Sequence, residues 1–254
     1  MVMTRVAAVQ LHLADEQDAA TRRHRVRQLV GEIEADLILL PELWEVGPFA
    51  VAENIDHAVP LETWCQHMSD LAPGRTLHAG SFLERDGDDL YNTSVVFGPG
   101  GEVLATYRKI HLFGFDTGEA VTLSAGTQVV TVQTPLGLTG LATCYDLRFP
   151  EMFRALTDAG ATAVLIPTGW PTARISRWSL LAAARATENQ VWLVGANSSG
   201  VSNRTPMGGH TLIVDPWGEV AEEMTEPGVL SAELDPDLPA RVRAEFPVLR
   251  DRRL

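Results

Sequence analysis

Apolar residues along this chain fall into short continuous runs separated by amphipathic stretches, a pattern that predicts an α/β architecture. Val6-Ala-Ala-Val9 and Leu37-Ile-Leu-Leu40 are apolar on both faces and of strand length, as in strands covered on both sides; Pro41 stops the second. Between them, residues 16–34 place Val26, Leu29, Val30 and Ile33 on one helical face. Strand, helix, strand implies parallel pairing. Further helices are predicted over about 60–71, from Pro150 onward and over about 175–188, with proline suited to a first helical turn. Strands are predicted near 76–83, 91–97, 103–107, 128–133, 138–143, 163–166, 191–196, 210–215 and 229–234. Gly98-Pro-Gly-Gly101 reads as a turn and 109–126 as a long loop. From about 238 the chain reads as a short helix and an extended tail. No internal repeat, low-complexity tract or linker stands out, so a single domain over residues 1–254 is expected.

Composition narrows the function classes. A chain of 254 residues suits one large core, and 45% hydrophobic with 21% charged residues excludes a disordered or fibrous chain. The formal net charge of −13 opposes phosphate backbones and anionic lipid, so neither nucleic acid nor a membrane is an expected partner. No apolar run approaches the roughly 18–20 residues a membrane helix needs. The start, Met1 to Val6, lacks a cationic segment followed by an apolar core, and two cysteines make no disulfide framework. A reduced, cytoplasmic protein is the resulting expectation. One detail is more pointed: of 20 basic residues, 19 are Arg and one is Lys, Lys109. It is either a stray surface residue or a place where a compact ammonium is required.

Three polar residues lie at or just beyond strand ends, where sites gather in α/β sheets. Glu42 follows the strand at 37–40, Lys109 the strand at 103–107, and Cys144 the strand at 138–143, ahead of a helix. A cysteine on such a turn gains from the positive helix end, which favours thiolate; the alternative is a small buried hydrophobe. Cys65, inside the helical Leu61–Met68, fits the second description. Glu42 is either a catalytic base or a solvated loop acid. Taken together, the three make a chemical set. A thiolate attacks an electrophilic carbon, an ammonium lowers the thiol pKa and stabilises the oxyanion, and a carboxylate moves the protons. The reaction is acyl transfer from a C–N bond to water.

Pro-Glu42-Leu, Tyr-Arg-Lys109-Ile-His-Leu-Phe and Cys144-Tyr-Asp-Leu-Arg-Phe-Pro-Glu together resemble the nitrilase superfamily of carbon–nitrogen hydrolases. Trp178 to Gln190, Gly209 to Glu219 and Phe246-Pro-Val-Leu-Arg250 extend the resemblance over nearly the whole chain. It implies a four-layer α-β-β-α sandwich, a thioester intermediate, and neither metal nor organic cofactor. It assigns Cys144 as nucleophile, Glu42 as general base and acid, and Lys109 as oxyanion stabiliser, with the Tyr145 N–H as second oxyanion donor. Glu119 matches a second carboxylate that orients the substrate amide and the lysine. The family commonly dimerises through the helix after the nucleophile and the 175–188 helix, so a homodimer or higher homo-oligomer is expected.

Cys-Tyr-Asp, with Asp215-Pro-Trp-Gly-Glu219, is most similar to omega-amidases and Nit-type amidases, which cleave the terminal amide of dicarboxylic acid monoamides such as 2-oxoglutaramate. N-carbamoyl amino acid hydrolysis and nitrile hydrolysis are the alternatives within the superfamily. A substrate carboxylate calls for an arginine, and Arg174 and Arg177 are the candidates. Trp170 and Phe113 are pocket walls or simple core. A Cys–His protease lacks a recognisable histidine context at His111 or His210, and no paired-His, Cys-x-x-Cys or Gly-x-Ser-x-Gly motif occurs. An inert scaffold or binding protein would tolerate loss of a triad member, yet all three are present.

Overall fold

A computed structural model of the chain describes residues 2–253. The first half runs β1 (Thr4–Gln10), β2 (His12–Leu13), α1 (Ala19–Glu32), β3 (Leu37–Leu39), α2 (Leu61–Met68), β4 (Thr76–Asp86), β5 (Asp89–Phe97) and β6 (Val103–Arg108). It continues through α3 (Glu119–Thr122), β7 (Thr131–Thr134), β8 (Gly137–Leu141), α4 (Pro150–Asp158), β9 (Ala163–Pro167), α5 (Ile175–Asn189) and β10 (Trp192–Ala196). The remainder is β11 (Ser199–Ser202), β12 (Thr205–Gly208), β13 (Thr211–Val214), β14 (Val220–Met224), β15 (Gly228–Leu234), α6 (Leu238–Glu245) and α7 (Val248–Asp251). Short 3-10 helices occupy Ala52–His57, Cys144–Arg148 and Thr172–Arg174. No described helix is long and apolar enough to cross a membrane.

Two six-stranded sheets carry the fold, in the orders β15-β1-β3-β4-β5-β6 and β7-β8-β9-β10-β13-β14. Strand parity explains their layering. Side chains alternate between faces, so Val6, Ala8, Leu37 and Leu39 meet Ala163, Leu165, Trp192 and Val194 between the sheets. Their neighbours Ala7, Val9, Ile38 and Leu40 face Val26, Val30, Trp64 and Met68 of α1 and α2. On the other sheet, Val164, Ile166 and Leu193 face Phe153, Leu156, Trp178 and Ala182 of α4 and α5. The result is the four-layer α-β-β-α sandwich. Strands apolar on both faces are what such a layering requires.

The two sheets also share one pairing pattern. Reading from β15 and from β7, successive pairs are antiparallel, parallel, parallel, antiparallel, antiparallel in both. A topological repeat therefore exists where the sequence shows none, because only the apolar pattern is common to the halves. Several elements differ from expectation. A third sheet, β12-β11-β2, joins the exits of β1 and β10, and β14 edges the second sheet. These strands are short and polar or exposed, which leaves no hydrophobic periodicity to read. The stretch from 238 is helical over both α6 and α7.

His78 of β4 is fully buried with neither ring nitrogen hydrogen-bonded. Burial holds the imidazole neutral and draws its pKa from 6.5 down to about 3. The unfolded chain takes up this proton below about pH 6.5 and the folded one only near 3, so stability is full above the first value and falls between the two. Over the whole window the loss is of the order of 5 kcal/mol. In urea unfolding, His78→Leu is expected to lose about 2 kcal/mol less than the parent between pH 7 and pH 5. Equal losses would mean that the imidazole is solvated.

Candidate active site

Glu42 sits on a turn that the sheet holds rigidly. Leu40 N–H bonds to His78 O at 3.0 Å, Leu43 N–H to Ser81 Oγ at 3.0 Å and Trp44 Nε1–H to Ala79 O at 3.0 Å. Gly80, at φ +70°, lets β4 pass the turn; a Cβ there would lie 2.1 Å from Pro41 O. Leu43 takes φ +43°, which reverses the chain and leaves Glu42 only 2% exposed.

Lys109 leaves β6 with its N–H bonded to Asn92 O at 2.9 Å. Its ammonium lies 2.7 Å from Glu42 Oε1 and 2.6 Å from Glu119 Oε2, and the side chain is 1% exposed. Glu119 opens α3, and its Oε2 also accepts the Phe113 N–H at 2.9 Å. Asn92 of β5 donates from Nδ2 to Glu42 Oε1 at 3.0 Å and to Glu119 Oε1 at 2.6 Å.

Cys144 begins a five-residue 3-10 helix at φ +45°, a left-handed position rarely taken by a side-chain-bearing residue. Asp146, fully buried, stabilises this elbow. It accepts the Thr143 N–H at 2.8 Å and the Tyr107 hydroxyl at 2.7 Å through Oδ2. Its Oδ1 takes the His111 N–H at 3.1 Å and lies 2.7 Å from His111 Nδ1. One carboxylate thus fastens the cysteine turn to the segment carrying Lys109. Sequence reasoning read Asp146 only as part of a motif; an acid two residues past the candidate nucleophile on a strand-to-helix turn was the available signal.

Electrostatics correct one expectation. Burial foremost, and then Glu42, push the Cys144 thiol well above its ordinary pKa. Lys109, the Thr168 hydroxyl and the Gly169 N–H oppose this without overcoming it. The thiol is therefore held neutral at rest, and neither the ammonium nor the helix start makes it a standing thiolate. Burial also raises Glu42 above the usual carboxylate range, against the pull of Lys109. For Lys109 burial acts downward, but Glu119 and Glu42 outweigh it and hold the ammonium well above its usual pKa. A carboxylate that binds protons more readily than usual thus stands beside a neutral thiol.

These residues line one cavity. Glu42, Lys109, Cys144, Glu119, Tyr145, Trp170, Arg174 and Phe113 all border it, and Arg177 does not. Arg177 is exposed and bonds Ser176 Oγ at 2.8 Å instead. Arg148 lines the cavity in its place and was not anticipated, although it sits one turn beyond Cys144. Its guanidinium lies 4.7 Å from the Trp170 ring centre, and that of Arg174 lies 5.4 Å from Phe113. Among the described residues neither guanidinium pairs with a carboxylate. Gly169 is required here too, since a Cβ would stand 2.5 Å from Pro48 Cγ and 3.1 Å from Glu42 Oε2. Cys65 packs half-buried on the helix side of the first sheet, and its thiol is raised by burial and then by Glu84.

Residues 5–244 match the family described as Carbon-nitrogen hydrolase. The chain belongs to the carbon–nitrogen hydrolase family. It is 42% identical to the 2-oxoglutaramate amidase of Paenarthrobacter nicotinovorans over 98% of this chain and 89% of that protein. It is 33% identical to Omega-amidase NIT2 of Mus musculus over 98% of this chain and 95% of the other. Among solved structures, Saccharomyces cerevisiae Nit3, described as a member of branch 10 of the nitrilase superfamily, superposes with a TM-score of 0.88. That pair shares 30% identity over 99% of this chain and 97% of the other. As a carbon–nitrogen hydrolase, the protein is an enzyme.

Proposed function

We propose that this carbon–nitrogen hydrolase releases ammonia from the terminal amide of a small dicarboxylic acid monoamide, 2-oxoglutaramate being the leading candidate. The observation that carries this reading is the pair of carboxylate-free guanidiniums, Arg148 and Arg174, in the same cavity as Cys144. In a protein of net charge −13, such a pair is a receptor for an anionic group on the substrate. The names of the related amidases support the same substrate class.

In this mechanism Glu42 removes the Cys144 Sγ proton as the sulfur attacks the amide carbon. The carbonyl oxygen becomes an oxyanion held by the Lys109 ammonium and the Tyr145 N–H. Collapse breaks the C–N bond, and Glu42 returns the proton to the leaving nitrogen, which departs as ammonia. The acyl group remains on sulfur as a thioester. Glu42 then takes a proton from water, whose oxygen attacks the thioester; the acid leaves and the thiol is restored. Glu119 holds Lys109 from the far side and orients the amide, and Trp170 walls the cavity.

The enzyme is further proposed to be a cytoplasmic homodimer whose residues 1–254 form one domain. Leu180, 67% exposed on α5, supports α5 as the dimer face.

An ammonia-release comparison tests the substrate class, using 2-oxoglutaramate, plain aliphatic amides, N-carbamoyl amino acids and nitriles. Turnover is expected to favour the monoamide. Arg148→Leu is expected to raise its KM about tenfold or more and to leave a neutral amide unaffected. An equal effect on both substrates would point to a neutral amide, and carbon dioxide released with the ammonia would point to carbamoyl hydrolysis.

A further inference from the structure

The four-membered ring of polar groups at the base of the cavity contains one member that the chemistry above leaves idle. Lys109 Nζ contacts Glu42 Oε1 at 2.7 Å and Glu119 Oε2 at 2.6 Å; Asn92 Nδ2 closes the ring at 3.0 Å and 2.6 Å. The orientation of the Asn92 amide follows from chemistry. Its nitrogen carries two protons, one for each carboxylate, whereas the opposite orientation would set an oxygen against two others. Oδ1 points away and has no partner among the described residues. Asn92 is 1% exposed, and its backbone oxygen also receives the Lys109 N–H.

The ring distributes acceptors unevenly. Glu42 Oε1 takes both the ammonium and the amide, so its acceptor capacity is largely spent. Glu42 Oε2 faces Gly169, whose N–H adjoins the Cys144 sulfur. Two carboxylates sharing one ammonium repel each other, and a neutral double donor relieves that repulsion without adding charge. We propose that Asn92 is a positioning residue for the reaction: its amide fixes the rotation of Glu42 so that Oε2 is presented to the thiol, and keeps both carboxylates ionised around one lysine. The inference rests on Glu42 acting as the base.

The groups that face Glu42 are Lys109 beyond β6, Glu119 of α3 and Cys144 beyond β8, with Arg148 and Arg174 farther along the cavity. The test is the pH profile of kcat/KM for Asn92→Leu and Asn92→Ser against the parent. Asn92→Leu is near-isosteric and donates nothing; Asn92→Ser keeps one donor. Asn92→Leu is expected to lose about 10²-fold in kcat, with KM changed less than threefold and the acidic limb moved to higher pH. Asn92→Ser is expected to lie between leucine and parent on both measures. A rate loss with an unmoved limb, in whichever variant folds, overturns the proposal, as does kcat within a few-fold of the parent for Asn92→Leu. A parent profile with no acidic limb would instead overturn Glu42 as the base, so the two failures are distinct.

Discussion

Cys144→Ala is expected to abolish ammonia release, with kcat falling about 10⁴-fold or more, while the unfolding midpoint stays where it was. The substitution removes a single sulfur, and alanine meets the same backbone strain at φ +45° that cysteine already bears. The elbow is held by the Asp146 bonds, none of which uses the Cys144 side chain. Activity and stability therefore separate at this position. Steady-state ammonia release and a thermal melt measure the two, and iodoacetamide treatment of the parent followed by peptide mapping should place the inactivating label on Cys144 rather than Cys65. Retained hydrolysis in the alanine variant would refute covalent catalysis through this sulfur.

Lys109→Arg retains the charge, and is still expected to lower kcat by about 10²–10³-fold, the usual effect of losing an oxyanion donor. The ammonium is wedged between carboxylate oxygens at 2.6 and 2.7 Å with 1% exposure, a space cut for one tetrahedral nitrogen. A planar guanidinium would push Glu42 or Glu119 aside, so the base moves as well. Lys109→Ala should be worse than Lys109→Arg if charge contributes beyond fit. Near-parental kcat in the arginine variant would assign the oxyanion contact elsewhere and strip the lone lysine of meaning.

That lysine shows what was legible in the sequence. In a chain with 19 arginines, an isolated Lys after a strand marked a place where shape matters as much as charge. The strands buried on both faces were legible for a comparable reason, since Val6–Val9 and Ala163–Ile166 alternate between two apolar layers and tolerate no polar side chain. Asn92 was not legible. Asn92, Thr93 and Ser94 are all buried on β5, where a polar strand segment resembles a solvated edge until its partners are known. Arg148 was hidden within the nucleophile motif, and Arg177 was favoured beside Arg174 by proximity alone; which arginine turns inward depends on the 3-10 helices at 144–148 and 172–174, too short to leave a periodic trace. The raised thiol was missed because a nearby cation suggests a lower pKa, and burial, followed by the Glu42 charge, reverses the sign.

Glu42 extends from the first sheet and Cys144 from the second, so the span between the proposed base and the proposed nucleophile is set by how two greasy surfaces seat on each other. Leu39, Leu165 and Val194 act, in effect, as the spacer of a calliper whose jaws are the Glu42 carboxylate and the Cys144 sulfur. Trimming one of them would let the jaws drift, and a drift of about 1 Å costs on the order of 10²-fold in rate. On the proposed mechanism, distant aliphatic side chains that never meet the amide thus bear on its chemistry, and their loss would lower turnover as well as the melting midpoint.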